Sequence, residues 1–350
     1  MIFNYRMIFV YSCMMFFILI TSVFSQNELS IRSQNFEWID TEDKLARNNN
    51  AEWIVYNIFN SKMPGNLVHI VAIDAQGIKW IATDNGLVKY DGAKLSIYNI
   101  APYAGDPKWV NTIVIDTRNN KWIGTGVGLV KYDNTKWYFY DVATSGLPEN
   151  NIQSISIDAQ GNKWIATYGG GLAKFDGNSW TVYNTSNSGL PGNRIYSVAI
   201  DAEGNKWIGT ESHGLVRYDG SQWTVYDASN SGLPENLITS ITIDTQNNKW
   251  IATYGGGLAK FDGISWTVYD TSNSGLPCNR VRSTAIDAEG NKWISTDDGL
   301  ARYNGTNWIV YDTSNSGLPD NRICSVTIDA QGNKWIGTVN GLAIYREGGV

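Results

Sequence analysis

The fold class predicted by the sequence is all-β, a seven-bladed β-propeller with four-stranded antiparallel blades, and three observations predict it. The tripeptide Lys-Trp-Ile recurs at Trp80, Trp122, Trp164, Trp207, Trp250, Trp293 and Trp335, a steady period of 42 or 43 residues, and such a period marks a repeat architecture. Each period holds four short runs rich in Val, Ile, Thr, Tyr and Trp with Gly, Asn or Asp between them, the pattern of strands and turns. The 350 residues include 35 Gly, 15 Trp and 19 Tyr against 5 Met, which favours aromatic strands with tight turns over helices.

Taken in chain order, the first element is a leader. The stretch MIFNYRMIFVYSCMMFFILITSVFSQ has Arg6 as its only charge, an apolar run from Met7, and Val23 and Ser25 ahead of Gln26. Residues 1–25 read as a secretory signal peptide; an uncleaved anchor is the alternative, because the run approaches the ~20 residues that span a bilayer. Cys13 lies inside the apolar run and not at its end, which argues against lipid modification. Cleavage leaves Cys278 and Cys324, too few for a disulfide framework.

Residues 26–50 read as a linker with a decayed partial repeat. Trp38-Ile-Asp-Thr41 and Leu45-Ala-Arg47 align with Trp293-Ile-Ser-Thr296 and Leu300-Ala-Arg302, but Lys44, Asn48, Asn49 and Asn50 replace the glycine, the aromatic and the Asp-Gly turn. The propeller itself spans residues 51–350.

Blade four shows a complete unit: Ile195–Ile200, Lys206–Thr210, Gly214–Tyr218 and Trp223–Tyr226. Its first turn, Asp201 to Asn205, combines an Asp that bonds its own backbone with a glycine that accepts positive φ. The only long connections join units, as in Asn184–Asn193. A chain leaving the outer edge of one sheet for the inner edge of the next must cross three strand spacings of about 4.8 Å, which a short turn cannot do. The last unit stops at Tyr345 without a Trp-x-Val-Tyr strand, and Trp53-Ile-Val-Tyr56 stands alone at the other end. An N-terminal outer strand therefore closes the ring; an eight-bladed ring with two three-stranded blades is the alternative.

The repeat I-x-S-[IV]-x-I-D-x-x-G-N-K-W-I-[GA]-T-x-x-G-L-x-[KR]-[YF]-D-G-x-x-W-x-V-Y, followed by S-G-L-P-x-N, resembles the two-component regulator propeller repeat from about Trp53 to Tyr345. In bacteria such repeats form the periplasmic sensor half of hybrid two-component kinases that detect oligosaccharides released from glycans. The resemblance implies the fold, export to periplasm or medium, and recognition of sugars. No transmembrane run, kinase module or regulator is expected after Tyr345, so phosphorylation is not carried over. The D-x-x-G-x-x-W stretch is also similar to the Asp-box of sialidases, with one residue fewer between Asp and Gly, a match to a hairpin and not to an active site.

Residues that recur in every unit, such as the Lys-Trp-Ile tryptophans, serve what every blade needs, which is packing between sheets. Function is expected where the units disagree. In an up-and-down meander the second-to-third turns and the inter-blade loops share one face. Two positions there vary at the start of each innermost strand. The first runs Leu67, Trp109, Asn151, Arg194, Leu237, Arg280, Arg322, and the second His69, Asn111, Gln153, Tyr196, Thr239, Arg282, Cys324. The short turns add Asp84, Tyr168, His213, Tyr254 and Asp297.

The ligand-binding candidates are His69, Trp109, Asn111, Gln153, Tyr168, Arg194, Tyr196, His213, Tyr254, Arg280, Arg282 and Arg322, set around the channel mouth. Arginine forks match carboxylate or sulfate, and aromatic faces stack on sugars. The arginines could instead pair with Glu149, Glu235 or Asp320. A net charge of −6 argues against nucleic acid.

With only His69 and His213 and no H-E-x-x-H, G-x-S-x-G or phosphate loop, no catalytic residue is assigned. Some seven-bladed propellers are lyases that use a histidine, acids and magnesium, which His69 or His213 with Glu211 could mimic. The expectation is a non-catalytic, exported monomer without cofactor or metal. It binds an oligosaccharide or a protein partner and has no membrane contact once the leader is removed.

Overall fold

The computed structural model describes residues 31–32, 45–48, 51–98 and 109–347. The leader expected at residues 1–25 and the decayed strand at Trp38–Thr41 lie outside the described residues. The described chain contains no helix, and none therefore long and apolar enough to cross a membrane.

Seven sheets form the ring. Blade one is a consecutive antiparallel meander of Val68–Ile73, Lys79–Thr83, Gly86–Tyr90 and Leu95–Tyr98. Blades two to six repeat this order, beginning at Val110–Ile115, Ile152–Ile157, Ile195–Ile200, Ile238–Ile243 and Val281–Ile286. Each of these first strands contacts the first strand of the next blade, and Ile323–Ile328 of blade seven contacts Val68–Ile73. The first strands therefore line the channel, and Thr327 Oγ1 donates to Val71 O at 2.6 Å across the closing seam.

Blade seven takes Ile323–Ile328, Lys334–Thr338 and Gly341–Arg346 from the C-terminal side and Ala51–Tyr56 from the N-terminal side. Trp53 faces Tyr345 there, as Trp308 faces Tyr303 in blade six. The expected N-terminal closure is what the structure shows. Leu45–Asn48 pairs on the other edge of Ala51–Tyr56, with Ala46 opposite Trp53, and Ile31–Arg32 runs parallel outside it. The repeat register would set Asn48 against Trp53. The intact Gly341–Arg346 copy holds that place, and the remnant strand extends the sheet in a shifted register.

One polar motif anchors every blade. In blade four, Asp201 Oδ1 accepts from Asn205 N at 2.8 Å, and Oδ2 accepts from Asn205 Nδ2 and Trp207 Nε1 at 2.9 and 2.8 Å. The turn needs positive φ at its fourth residue, met by Gly204 (φ 81°) and, in blades two and five, by Asn119 (62°) and Asn247 (65°). The Trp side chains of the seven Lys-Trp-Ile motifs are buried. A lysine of the next blade lies over each ring, from Lys79 over Trp335 to Lys334 over Trp293, at 4.5–5.1 Å. These contacts run right round the ring.

The apolar cores sit between neighbouring sheets. Trp122 and Leu129 of blade two pack with Ile152, Ile155, Ile165 and Phe175 of blade three, and Leu147 of the intervening loop plugs the gap. The loop glycines Gly146, Gly189, Gly232 and Gly275 beside four such leucines are each imposed by a neighbouring tryptophan: a Cβ on Gly232 would stand 2.4 Å from Trp266 Cβ. Burial of each leucine peg contributes about 1.5–3 kcal/mol. The loop polar groups bond internally, as when Asn236 Oδ1 accepts from Ala228 N and Ser231 Oγ from Leu233 N. The repeated T-S-N-S-G-L-P sequence is thus accounted for by the loop's own folding.

Candidate functional site

The inter-blade loops and the second-to-third turns meet on one face through backbone bonds. Asp84 N donates to Leu67 O, Tyr168 N to Asn151 O, Glu211 N to Arg194 O, Tyr254 N to Leu237 O and Asp297 N to Arg280 O. The first variable position is therefore fixed beside the turn of its own blade.

The second variable position has a sharper cause. In every blade the register between first and second strands shifts across it, with His69, Asn111, Gln153, Tyr196, Thr239, Arg282 and Cys324 as the extra residues. A bulge leaves its extra residue outside the ladder and re-aims the side chain. Seven bulges thus present seven unlike side chains at one end of the channel wall.

The structure gathers these candidates into four groups. In blades three and four, Tyr168, Arg194 and Tyr196 join Glu211. Arg194 Nη1 lies 2.9 Å from Glu211 Oε2, the Tyr168 hydroxyl donates to Oε1 at 2.7 Å, and the guanidinium stands 4.9 Å from the Tyr168 ring centre. The bonds from Arg194 and Tyr168 hold the Glu211 carboxyl below its ordinary range. Burial, with Tyr168 and Glu211 nearby, pushes the Tyr196 hydroxyl up to about 12.

In blades five and six, Tyr254, Arg280 and Arg282 join Asp297. Arg282 Nε donates to Asp297 Oδ1 at 2.5 Å, while Arg280 Nη1 stays 3.8 Å from Oδ2. Cys324 borders this group. Burial pushes its thiol up to about 11, with Arg282 and Arg322 pulling the other way.

The third group pairs His69 with Trp109, ring centres 5.9 Å apart. Burial holds the His69 imidazole below its usual value against the pull of Asp84. Among the described residues, His69 Nε2 and Asp84 Oδ1 are buried without a hydrogen-bond partner. In the fourth group, Asn111 Nδ2 donates to Ile152 O at 2.8 Å and Gln153 Nε2 to Asn151 Oδ1 at 2.7 Å.

Two candidates stand apart. Among the described residues Arg322 has one ion-pair partner, Asp320, at 4.0 Å. His213 bonds Ser212 and lies near Gly192. Glu211 has both oxygens engaged by Tyr168 and Arg194, so the histidine–glutamate pair of a lyase does not form around His213.

The expected alternative partners of the arginines hold only in part. Glu149 and Glu235 instead cap their own loops by accepting from Asn150 N and Asn236 N, because their side chains turn back to free backbone donors. The carboxylates that do meet Arg194 and Arg280, Glu211 and Asp297, were not among the ligand-binding candidates. Their position, first in the turn and backbone-bonded to the variable arginine, would have found them. Among the described residues no group of three or more His, Cys, Asp or Glu could hold a metal ion, and Cys278 and Cys324 are free.

The fold and this face define a seven-bladed β-propeller with a varied channel mouth. The family model of the two component regulator propeller matches residues 146–169 and 189–212. Among solved structures, the chain is similar to the extracellular domain assigned to the hybrid two component system BT3049 from B. thetaiotaomicron (27% identity, TM-score 0.74), over 89% of this chain and 47% of that one. It is also similar to the corresponding domain of BT4673 from the same organism (23%, TM-score 0.70; 84% and 40%). The chain thus spans about half the length of these structures or less. A virginiamycin B lyase from Staphylococcus aureus shares the fold at 13% identity and TM-score 0.69, over 85% of this chain and 99% of that one. No curated protein matches the sequence. The chain is thus a seven-bladed propeller in which two stretches match the two component regulator propeller model.

Proposed function

We propose that this propeller is an exported, non-catalytic recognition module of the sensor type that takes an oligosaccharide at the channel mouth. One observation carries the reading: a backbone bulge in every blade lifts one residue out of an otherwise uniform ladder, and those seven residues differ in every blade. Aromatic faces at Trp109, Tyr168 and Tyr254, arginine forks and side-chain amides together suit stacking on sugar rings and bonding to their hydroxyls. Similarity to extracellular domains of two component systems supports export and the sensor role. The lyase likeness, at 13% identity, extends to fold alone.

The test is a thermal-shift screen of the purified protein against neutral, uronic and sulfated oligosaccharides. A ligand at a hundredfold excess over its Kd adds about 2.7 kcal/mol of stability. The expected result is a hit that disappears in Tyr254→Ala with Trp109→Ala. A flat panel overturns the glycan reading and turns the search to protein partners for the same face.

A further inference from the structure

The identical stretches Lys163–Gly177 and Lys249–Gly263 belong to a longer duplication, in which blades three and four map onto blades five and six with an offset of 86 residues. Under that offset Tyr168 maps to Tyr254, Arg194 to Arg280, Glu211 to Asp297, and the bulge residue Tyr196 to Arg282. The mouth therefore carries one seat built twice, and the two copies are in different states.

The first copy is closed. One oxygen of Glu211 accepts from Arg194 Nη1 at 2.9 Å and the other from the Tyr168 hydroxyl at 2.7 Å. Tyr196 packs its ring edge-on against Tyr168 at 5.8 Å. One arginine balances one carboxylate.

The second copy is open. Asp297 is a methylene shorter than glutamate, and Arg282, standing where the first copy has Tyr196, takes its Oδ1. Arg280 Nη1 is left 3.8 Å from Oδ2, beyond hydrogen-bonding distance. Tyr254 is 43% exposed with Arg280 over its ring at 5.2 Å, and among the described residues nothing bonds its hydroxyl. Two arginines face one aspartate. The tyrosine and arginine donors are both present, and the carboxylate that joins them in the first copy is missing.

We propose that Tyr254 and Arg280 bind a carboxylate of the ligand, the uronate of an acidic oligosaccharide, in the place that Glu211 fills in the first copy. One carboxylate oxygen accepts from the Tyr254 hydroxyl and the other from Arg280 Nη, the planar fork that guanidinium favours. Arg282 holds Asp297, so the incoming anion does not face an unpaired like charge. This assignment rests on the glycan reading above.

Titration calorimetry on the full protein tests it, with oligogalacturonate and oligoglucuronate tetramers, their methyl esters, and a neutral glucose tetramer. The free acid of at least one uronate is expected to bind about tenfold or more tighter than its ester, the scale of a charge-assisted hydrogen bond. Arg280→Gln is expected to remove that preference. Asp297→Glu is the sharper variant: it recreates the first copy's glutamate, which closes onto Tyr254 and Arg280 and lowers acid affinity about tenfold while the fold is kept. Equal binding of acid and ester, or acid binding unmoved by Asp297→Glu, overturns the proposal. If only the neutral tetramer binds, the uronate assignment fails and the glycan reading stands. If no sugar binds, both fail.

Discussion

Replacing Lys121 by Met removes a cation that sits deep in the seam between blades one and two. Its Nζ lies 3.2 Å from Asp74 Oδ2, with both side chains 1% exposed, and it donates to Asn119 O and Asn134 Oδ1 at 3.0 and 2.7 Å. Asp74 keeps its bonds from Trp80 Nε1, Gln76 N and Ile78 N after the change, but loses its only ion pair among the described residues. Breaking a buried pair from one side costs about 3–5 kcal/mol. With unfolding entropy near 2.1 cal/mol/K per residue over a ring of ~300 residues, that is a fall in Tm of about 5–8 °C.

Lys206→Met in blade four is the control. Lys206 lies 4.7 Å from the centre of the Trp164 ring and, among the described residues, makes no ion pair. The cation–π contact alone is worth about 1 kcal/mol, or about 2 °C. Scanning calorimetry of both variants at pH 7 decides the matter. Equal losses would refute the claim that the Asp74 pair makes this seam different.

Two further outcomes follow from the scaffold. Burial raises the pKa values of the seven turn aspartates, but bonds from tryptophan, asparagine and backbone N–H groups outweigh it, so each is held below its ordinary 3.8. Depressed carboxyls stabilise fully above the unfolded value and lose that stability as pH falls through the folded one. The Tm should therefore be level from pH 7 to about 5 and drop steeply below about 4; a level Tm down to pH 3 would contradict this. Trp53→Ala empties a buried site packed by Trp293, Tyr311 and Tyr345 and should cost about 3–5 kcal/mol, read as a lower urea midpoint. An unchanged midpoint would mean that blade seven closes without this strand.

The ring was legible in the sequence because each blade repeats the same physical solution. The Asp, the positive-φ residue and the Trp of the first turn recur at fixed spacing, and the absence of an outer strand after Tyr345 pointed to Trp53–Tyr56. The variable mouth positions were legible as disagreement between copies. Their bulge was not, because an extra residue leaves no mark when every copy carries it. The pairing of Arg194 with Glu211 was also hidden. Glu149, the partner the sequence suggested, instead has its side chain drawn back by Asn150 N and Asn151 N. The remnant strand at Leu45–Asn48 aligned with the repeat, yet its shifted register on the outer edge depends on competition with Gly341–Arg346 for the same partner.

The closing strand also fixes how the molecule answers to force. Ala51–Tyr56 and Gly341–Arg346 are antiparallel, so the chain enters at Glu52 and leaves at Arg346 from the same end of the joint. Tension on both chain directions peels this seam one residue pair at a time, starting with Glu52 and Arg346, and does not shear its five pairs together. Those two residues form an ion pair at 3.1 Å, its carboxylate 4% exposed. Once Leu45–Asn48 has been stripped from the outer edge, the next bond under load is therefore the clasp of the ring.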